Sequence, residues 1–294
     1  RRCGRPIQWR RKGTLGAMTK FVFDPKGDIA RAIDDGRASA QGDGQRAHLG
    51  CSIIGRDCPR EIWYSFRWAA QVQWSGRMLR LFDRGQREEI TLVSLLRAIG
   101  CEVWDHTPHG DQYRVSFADG YIGGSVDGIA KGIPNDPDTP YLLEFKTHND
   151  KSFQELKKKG MIESKPAHHA QMQLYMKGLN LRHGLYMAVN KNDDELYTEH
   201  VAYDESVARE YLDRGLDIVE SRVPLPKISN RPDWYQCKWC HYSGQCHKGL
   251  PLSKNCRTCE HVRMPGAGKW ECELTSKELS ATEQKNGCER WKSV

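Results

Sequence analysis

From Cys58 onward the chain alternates between stretches with helical spacing of apolar positions and stretches with strand-like patterning. Residues Cys58 to Trp68 read as a helix with an aromatic face carrying Trp63, Tyr64 and Phe66. A second helix is expected from about Gly85 to Ile99, with Ile90, Leu92, Val93, Leu95 and Leu96 as its core stripe and Gly100 as its stop. Strand-like segments follow at Glu102–Trp104, Gln112–Phe117, Gly123–Ile129 and Tyr141–Lys146, with Asp119-Gly120 as a hairpin turn. Helix-favouring sequence covers Lys151–Lys159 and Ala167–Gly178. A strand at Gly184–Asn190, a turn at Lys191–Asp194 and a strand through Val201 come next. The last long helix runs from Ser206 to about Arg222, before Pro224. This order predicts an α/β fold with a central mixed β-sheet flanked by helices.

The periodicity fails at both ends. Residues 24–50 are rich in Gly, Asp and Arg and read as a loosely held leader, and beyond Pro224 the chain turns to Pro, Cys and Trp. The expected organisation is a poorly ordered leader over 1–47, a main domain over 48–250 and a small cysteine-rich, metal-bound module over 251–294. Within the leader, residues 1–17 read as an extension, because Met18 would be a natural start. Hydrophobic residues make up 38% and charged residues 28%, which suits a globular chain rather than a disordered one. No apolar run approaches the roughly 20 residues needed to cross a bilayer. The basic N-terminus lacks the apolar core of a secretory signal, so a cytoplasmic location and no membrane partner are expected. The net charge of +7 permits contact with a polyanion without demanding it.

The sharpest chemistry lies in Gly124-Ser125-Val126-Asp127-Gly128 and Leu142-Leu143-Glu144-Phe145-Lys146-Thr147. Glu144 and Lys146 are two apart on one strand, so they share a face while Phe145 points the other way. Phosphodiester hydrolysis needs a hard cation on oxygen ligands and a group to steady water or phosphate charge. This set can supply both. An exposed Glu–Lys pair on a hairpin face would look the same in isolation. Further along, Gln171 and Tyr175 sit four apart on one helix face. His168 and His169 just before them read as surface or nucleic-acid contacts. Glu88 and Glu89 open the second helix, where the macrodipole alone would also favour carboxylates.

Together these residues resemble the PD-(D/E)XK nuclease superfamily, and within it the RecB-like branch, over about residues 48–248. The resemblance implies a restriction-endonuclease-like fold, Mg²⁺ or Mn²⁺ held by Asp127, Glu144 and the backbone carbonyl of Phe145, and Lys146 assisting the water. It also implies Glu89 as a further ligand, with Glu88 as fallback, and Gln171 with Tyr175 securing the strand. Many relatives carry a His where this chain has Gln86, which leaves a second metal position open.

Seven of the eleven cysteines fall between Cys237 and Cys288, and their C-x-x-C spacings favour metal over disulfides in a chain of this size. Cys237, Cys240 and Cys246, with Cys58 in a Cys-Pro-Arg context, resemble the iron–sulfur nucleases of the AddB-type and CRISPR adaptation kinds. That likeness implies a [4Fe–4S] cluster, for which Zn²⁺ is the alternative. Cys51 is the rival upstream ligand, whereas Cys3 and Cys101 read as free thiols. Cys256, Cys259, Cys272 and Cys288 suit a Zn²⁺ site, with His261 as substitute for one cysteine. Lys254, Arg257, Arg263, Lys269 and Trp270 around that site suggest DNA contact, or simply solubility. Arg60, Arg67 and Arg87 are candidate phosphate contacts.

The expected function is a metal-dependent deoxyribonuclease, an exonuclease of phage or cellular DNA recombination or repair. Its partners would be DNA and a single-strand-annealing or recombination protein. A non-catalytic nucleic-acid-binding protein with zinc-like modules is the alternative. A cysteine-dependent enzyme lacks a base-paired nucleophile.

Overall fold

A computed structural model describes residues 27–294; Cys3 and the expected 1–17 extension lie outside the described residues. The chain runs through α1 (Asp28–Ser39), β1 (Leu49–Gly50), α2 (Cys51–Ile54), α3 (Pro59–Phe66), α4 (Gly76–Ala98), β2 (Glu102–Trp104) and β3 (Arg114–Phe117). It continues with β4 (Ile122–Ser125), β5 (Gly128–Lys131), β6 (Tyr141–His148), α5 (Asp150–Ser164), α6 (Pro166–Leu179), β7 (His183–Asn190), β8 (Leu196–Ala202) and α7 (Glu205–Glu220). The cysteine-rich end carries α8 (Tyr235–Lys238), α9 (Ser243–His247), β9 (Val262–Gly266), β10 (Lys269–Cys272), β11 (Lys277–Glu278) and α10 (Ala281–Asn286).

The fold class is α/β with mixed sheets flanked by helices. The central sheet has the order β2-β5-β6-β7-β8, with β6 and β7 parallel and the other pairs antiparallel. The β6–β7 crossover is made by α5 and α6, as a parallel pair requires. One face packs Leu143, Phe145, Leu185, Met187 and Val189 against Leu92, Val93 and Leu96 of α4. The other face carries the larger core, with Leu142, Tyr186 and Ala188 of the sheet packed with Met172, Leu174 and Met176 of α6. Among the described residues no helix is long and apolar enough to cross a membrane.

Four local expectations are corrected. The long helix starts at Gly76, capped by Ser75, whose hydroxyl accepts from the Met78 N–H; Met78, Leu79, Leu81 and Phe82 carry its apolar spacing ahead of the expected start, and Gly85 lies within the helix rather than at its beginning. Ile90 and Leu95 are 72% and 48% exposed, so the buried stripe of α4 is narrower than expected. The expected strand Gly123–Ile129 is two strands in two sheets: β4 pairs with β3 and β1, and β5 with β2 and β6. Within the expected loose leader, α1 is helical and docks on α4. Arg37 pairs with Asp83 at 2.8 Å, and a Cβ on Gly76 would fall 2.0 Å from the Asp34 carbonyl oxygen.

The C-terminal segment is not an isolated appendage. Val262 and Trp270 of β9 and β10 belong to the larger core. Arg257 is 2% exposed and donates to the carbonyls of Ala47 at 2.8 Å and Phe66 at 3.1 Å, while its guanidinium lies 3.6 Å from the centroid of Trp68 and 4.3 Å from that of Trp270. Arg67, also buried, donates to the Ser221 carbonyl at 2.8 Å and lies 5.2 Å from the Trp270 centroid. Two buried guanidiniums therefore tie this segment to the main domain through aromatic faces and backbone carbonyls. Arg67, Arg257 and Trp270 are thus unavailable to DNA, which corrects the contacts expected of them.

Candidate active site

The break between β4 and β5 creates the site. Because β5 begins at Gly128 opposite Leu143, the next inward N–H of β6 has no strand to bond. Asp127, in the two-residue jog, fills that role: its Oδ2 accepts from the Phe145 N–H at 2.7 Å. A carboxylate is thereby fixed against the strand that carries Glu144 and Lys146. Those two side chains share the face opposite Phe145, and Lys146 Nζ donates to Glu144 Oε1. The second Glu144 oxygen accepts from Gln171 Nε2 at 3.1 Å. Glu144 is fully buried, yet both of its oxygens are satisfied.

Glu89, half-buried on α4, is the third carboxylate. Burial raises its pKa to about 7, and the Asp127 charge adds to the effect. Burial likewise raises Asp127, and pushes Glu144 to about 8 despite Lys146. Burial works against the Lys146 charge, but Glu144, Asp127 and Glu89 outweigh it and hold the ammonium above its ordinary value. Three carboxyl groups crowd one ammonium, and burial keeps them from ionising together, the condition a hard cation relieves. Glu88 shares the helix but does not enter this electrostatic set.

Gln171 and Tyr175 stand differently from what their spacing suggests. Tyr175 is 3% exposed and lies in the larger core. Its hydroxyl packs so closely on Gly124 that a Cβ there would lie 2.5 Å away, which accounts for the glycine three residues before Asp127. Tyr175 therefore backs Gln171 and the β4 backbone rather than meeting a strand. His168 and His169 are also not free surface groups. His168 Nδ1 lies 2.9 Å from the Tyr186 hydroxyl, which lies 2.9 Å from His148 Nε2, and His169 Nε2 is 3.0 Å from Gln173 Nε2. Burial lowers His148 to about 4 and His168 to about 3, so both are neutral at pH 7. The sequence reading missed Tyr186 and His148; the alternation of β6 places His148 on the Glu144–Lys146 face and was the available signal.

The site opens into a groove of about 820 Å³ whose lining includes Lys146, His168 and Gln171. Arg46, His48 and Gln86 lie on the same wall system, as do Trp74, Phe82 and Trp239. Arg87 is exposed, whereas Arg60 donates to the Leu225 carbonyl and faces the first cysteine cavity.

Cys58, Cys237, Cys240 and Cys246 line one small cavity, in which burial and the neighbouring thiols raise Cys240 to about 11. Two buried polar atoms at that cavity, Gln236 Oε1 and His247 Nε2, lack hydrogen-bond partners among the described residues. Cys51 lies in the larger core, away from this group. Cys256, Cys259, Cys272, Cys288 and His261 line a second cavity, where burial and the other three thiols raise Cys256 to about 11. Every described cysteine is a free thiol. Among the described residues no group of three or more His, Cys, Asp or Glu stands in ligating geometry; the side chains surround each cavity without closing on a point.

No family model and no curated protein matches the chain. Among solved structures it is similar to SSO0001, at 16% identity and a TM-score of 0.44, over 76% of this chain and 99% of that one. It is similar to LHK-Exo in complex with dAMP, again at 16% identity and a TM-score of 0.44, over 64% of this chain and 90% of that one; LHK-Exo is an alkaline exonuclease from Laribacter hongkongensis. A phage-related exonuclease from Haemophilus somnus 129PT is similar at 12% identity and a TM-score of 0.39, over 59% of this chain and 92% of that one.

Proposed function

We propose that the chain is a divalent-metal-dependent deoxyribonuclease that cleaves phosphodiester bonds at the Asp127–Glu144–Lys146 site. The observation that carries this reading is that Asp127 is fixed on the Phe145 N–H beside Glu144 and Lys146, within electrostatic reach of Glu89, while Lys146 and the Gln171 that holds Glu144 line an open groove. The donor set fits Mg²⁺ or Mn²⁺: one fully buried and two half-buried carboxyl groups that a cation would let ionise together beside the single ammonium. Asp127, Glu144, Glu89 and the Phe145 carbonyl would hold the ion. Such an ion supplies polarisation of a phosphoryl oxygen and a lower pKa for water.

The chain's own groups then have separable tasks. Lys146, half-buried and charged, faces the groove and steadies developing negative charge or the attacking water. Gln171 orients Glu144 by donating to one oxygen, and Asp127 is fixed by the Phe145 N–H. Neutral His168, anchored by Tyr186, borders the same floor without adding a cation. An exonuclease acting in DNA recombination or repair, beside a single-strand-annealing or recombination protein, is the finer form of this reading.

The two cysteine quartets would each take a thiolate-bound metal, the first a [4Fe–4S] cluster or Zn²⁺ and the second Zn²⁺. Unpartnered His247 Nε2 and Gln236 Oε1 support a group at the first cavity. Their role is structural, clipping a segment with little regular secondary structure. The test of the whole reading is release of labelled nucleotides from DNA with Mg²⁺ or Mn²⁺ by wild type and by Lys146→Ala. Cleavage only by the wild type supports it; equal cleavage by both removes the mechanism.

A further inference from the structure

The groove above Lys146 has a second chemistry at its far wall. Trp239, inside Cys237-Lys238-Trp239-Cys240, is 78% exposed, an unusual state for the largest aromatic side chain. Lys238 Nζ lies 5.4 Å from its ring centroid. Beside it, Trp74 makes edge contacts with His241 at 4.5 Å and with Phe82, itself 44% exposed, at 5.1 Å. All four rings line the groove that ends at Lys146 and Gln171. Arg46 lies on the same wall, whereas the acidic residues there are already neutralised: Asp43 pairs with Lys285 at 2.5 Å and Glu61 with Arg56 at 2.7 Å.

We infer that this groove is a track for an unpaired nucleic-acid strand, with Trp239 as the platform on which a base stacks. The inference rests on the phosphodiesterase reading and deepens it by naming the substrate class. A protein partner would be met best by a continuous apolar patch, but these rings are interleaved with cations. Rings for base faces and cations for phosphates, set along one groove, suit a single strand. A duplex buries its base faces in its own stack and offers nothing for Trp239 to cover. The position of Trp239 between Cys237 and Cys240 further implies that the first cysteine quartet sets the platform, so its bound group would contribute to strand binding without touching the strand.

The experiment uses the full chain with Ca²⁺ in place of Mg²⁺, and measures anisotropy of a fluorescent 20-mer of dT, the same strand carrying abasic sites, and a duplex. Trp239→Ala should weaken binding to the dT strand by roughly tenfold or more, from loss of one stacked base, and Trp239→Phe should restore most of it. Affinity for the abasic strand and the duplex should be the same in wild type and Trp239→Ala. Unchanged dT binding in Trp239→Ala overturns the inference, as does an equal loss on all three probes, which would report altered folding or charge. Cleavage of the dT strand with Mn²⁺ is followed in parallel. Trp239-dependent binding without cleavage would remove the nuclease reading and leave the track. Cleavage with KM unmoved by Trp239→Ala would remove the platform and leave the nuclease reading.

Discussion

The carboxylate end of the central sheet and the cysteine-rich C-terminal segment solve opposite problems of burying charge. At the sheet, acidic groups are crowded together and partly satisfied by neighbours close in sequence: Lys146 to Glu144, and the Phe145 N–H to Asp127. Burial raises the carboxyl pKa values of Glu89 and Glu144, and the neighbouring carboxylates add to the effect; under the proposed function a cation would relieve it. Where the C-terminal segment meets the main domain the buried groups are two guanidiniums, Arg257 of the segment and Arg67 at the end of α3, with no carboxylate against them among the described residues. Burial lowers Arg67 to about 10 and Arg257 to about 9, and backbone carbonyls, the Gln284 side-chain oxygen and aromatic faces compensate them. The first arrangement borders an open groove; the second is a closed structural lock. Buried charge is thus informative about function only when its surroundings leave it unbalanced and open to solvent.

The contrast can be broken most strongly at Lys146. Lys146→Ala or Glu144→Gln should slow DNA cleavage by about 10² to 10⁴, the range for loss of a positioned group in hydrolysis, with circular dichroism unchanged. Arg257→Ala should do the reverse. Three backbone carbonyls would lose a buried donor, costing on the order of 2–5 kcal/mol by chemical denaturation. The exposed Arg263→Ala should stay within about 0.5 kcal/mol. If Arg257→Ala abolished cleavage without lowering stability, the lock would have to be reassigned as part of the site.

Protonation sharpens the comparison next. His148 and His168 have folded pKa values of about 4 and about 3, below the ordinary 6.5, so the unfolded chain takes up protons first as pH falls. Their contribution to stability is therefore complete above pH 6.5 and declines toward pH 4, by at most about 1.4 kcal/mol per pH unit per histidine. The raised pKa values of Glu89 and Glu144 act with the opposite sign, so the diagnostic is the difference between wild type and His168→Asn in denaturation at pH 7 and pH 5. That difference should shrink at the lower pH. The smallest effect is expected at Ile90, 72% exposed, where Ile90→Glu should move stability by less than about 0.5 kcal/mol.

Local patterns carried the sheet end well. Alternation in β6 put Glu144 and Lys146 on one face, and i, i+4 spacing in α6 put Gln171 and Tyr175 on one side. What sequence could not supply was the direction in which a side faces: Tyr175 closes on Gly124, and Gln171 alone reaches Glu144. The jog at Val126-Asp127 was also hidden, because a strand that changes sheets keeps its apolar alternation. At the junction with the C-terminal segment, Arg257 and Arg67 read as surface cations, since charge is ordinarily solvated. Their burial depends on carbonyls about 150 or more residues away, which no local pattern encodes. The cysteine groupings were legible for the opposite reason, because thiolate spacing is a chemical constraint independent of packing.

The central claim is tested most directly by counting Mn²⁺ bound to the purified full-length chain by electron paramagnetic resonance, in wild type and in the Asp127→Asn and Glu144→Gln variants. The account predicts Mn²⁺ bound in the wild type and binding weakened at least about tenfold by either substitution. Equal Mn²⁺ binding by all three proteins would contradict it, and so would no binding by the wild type.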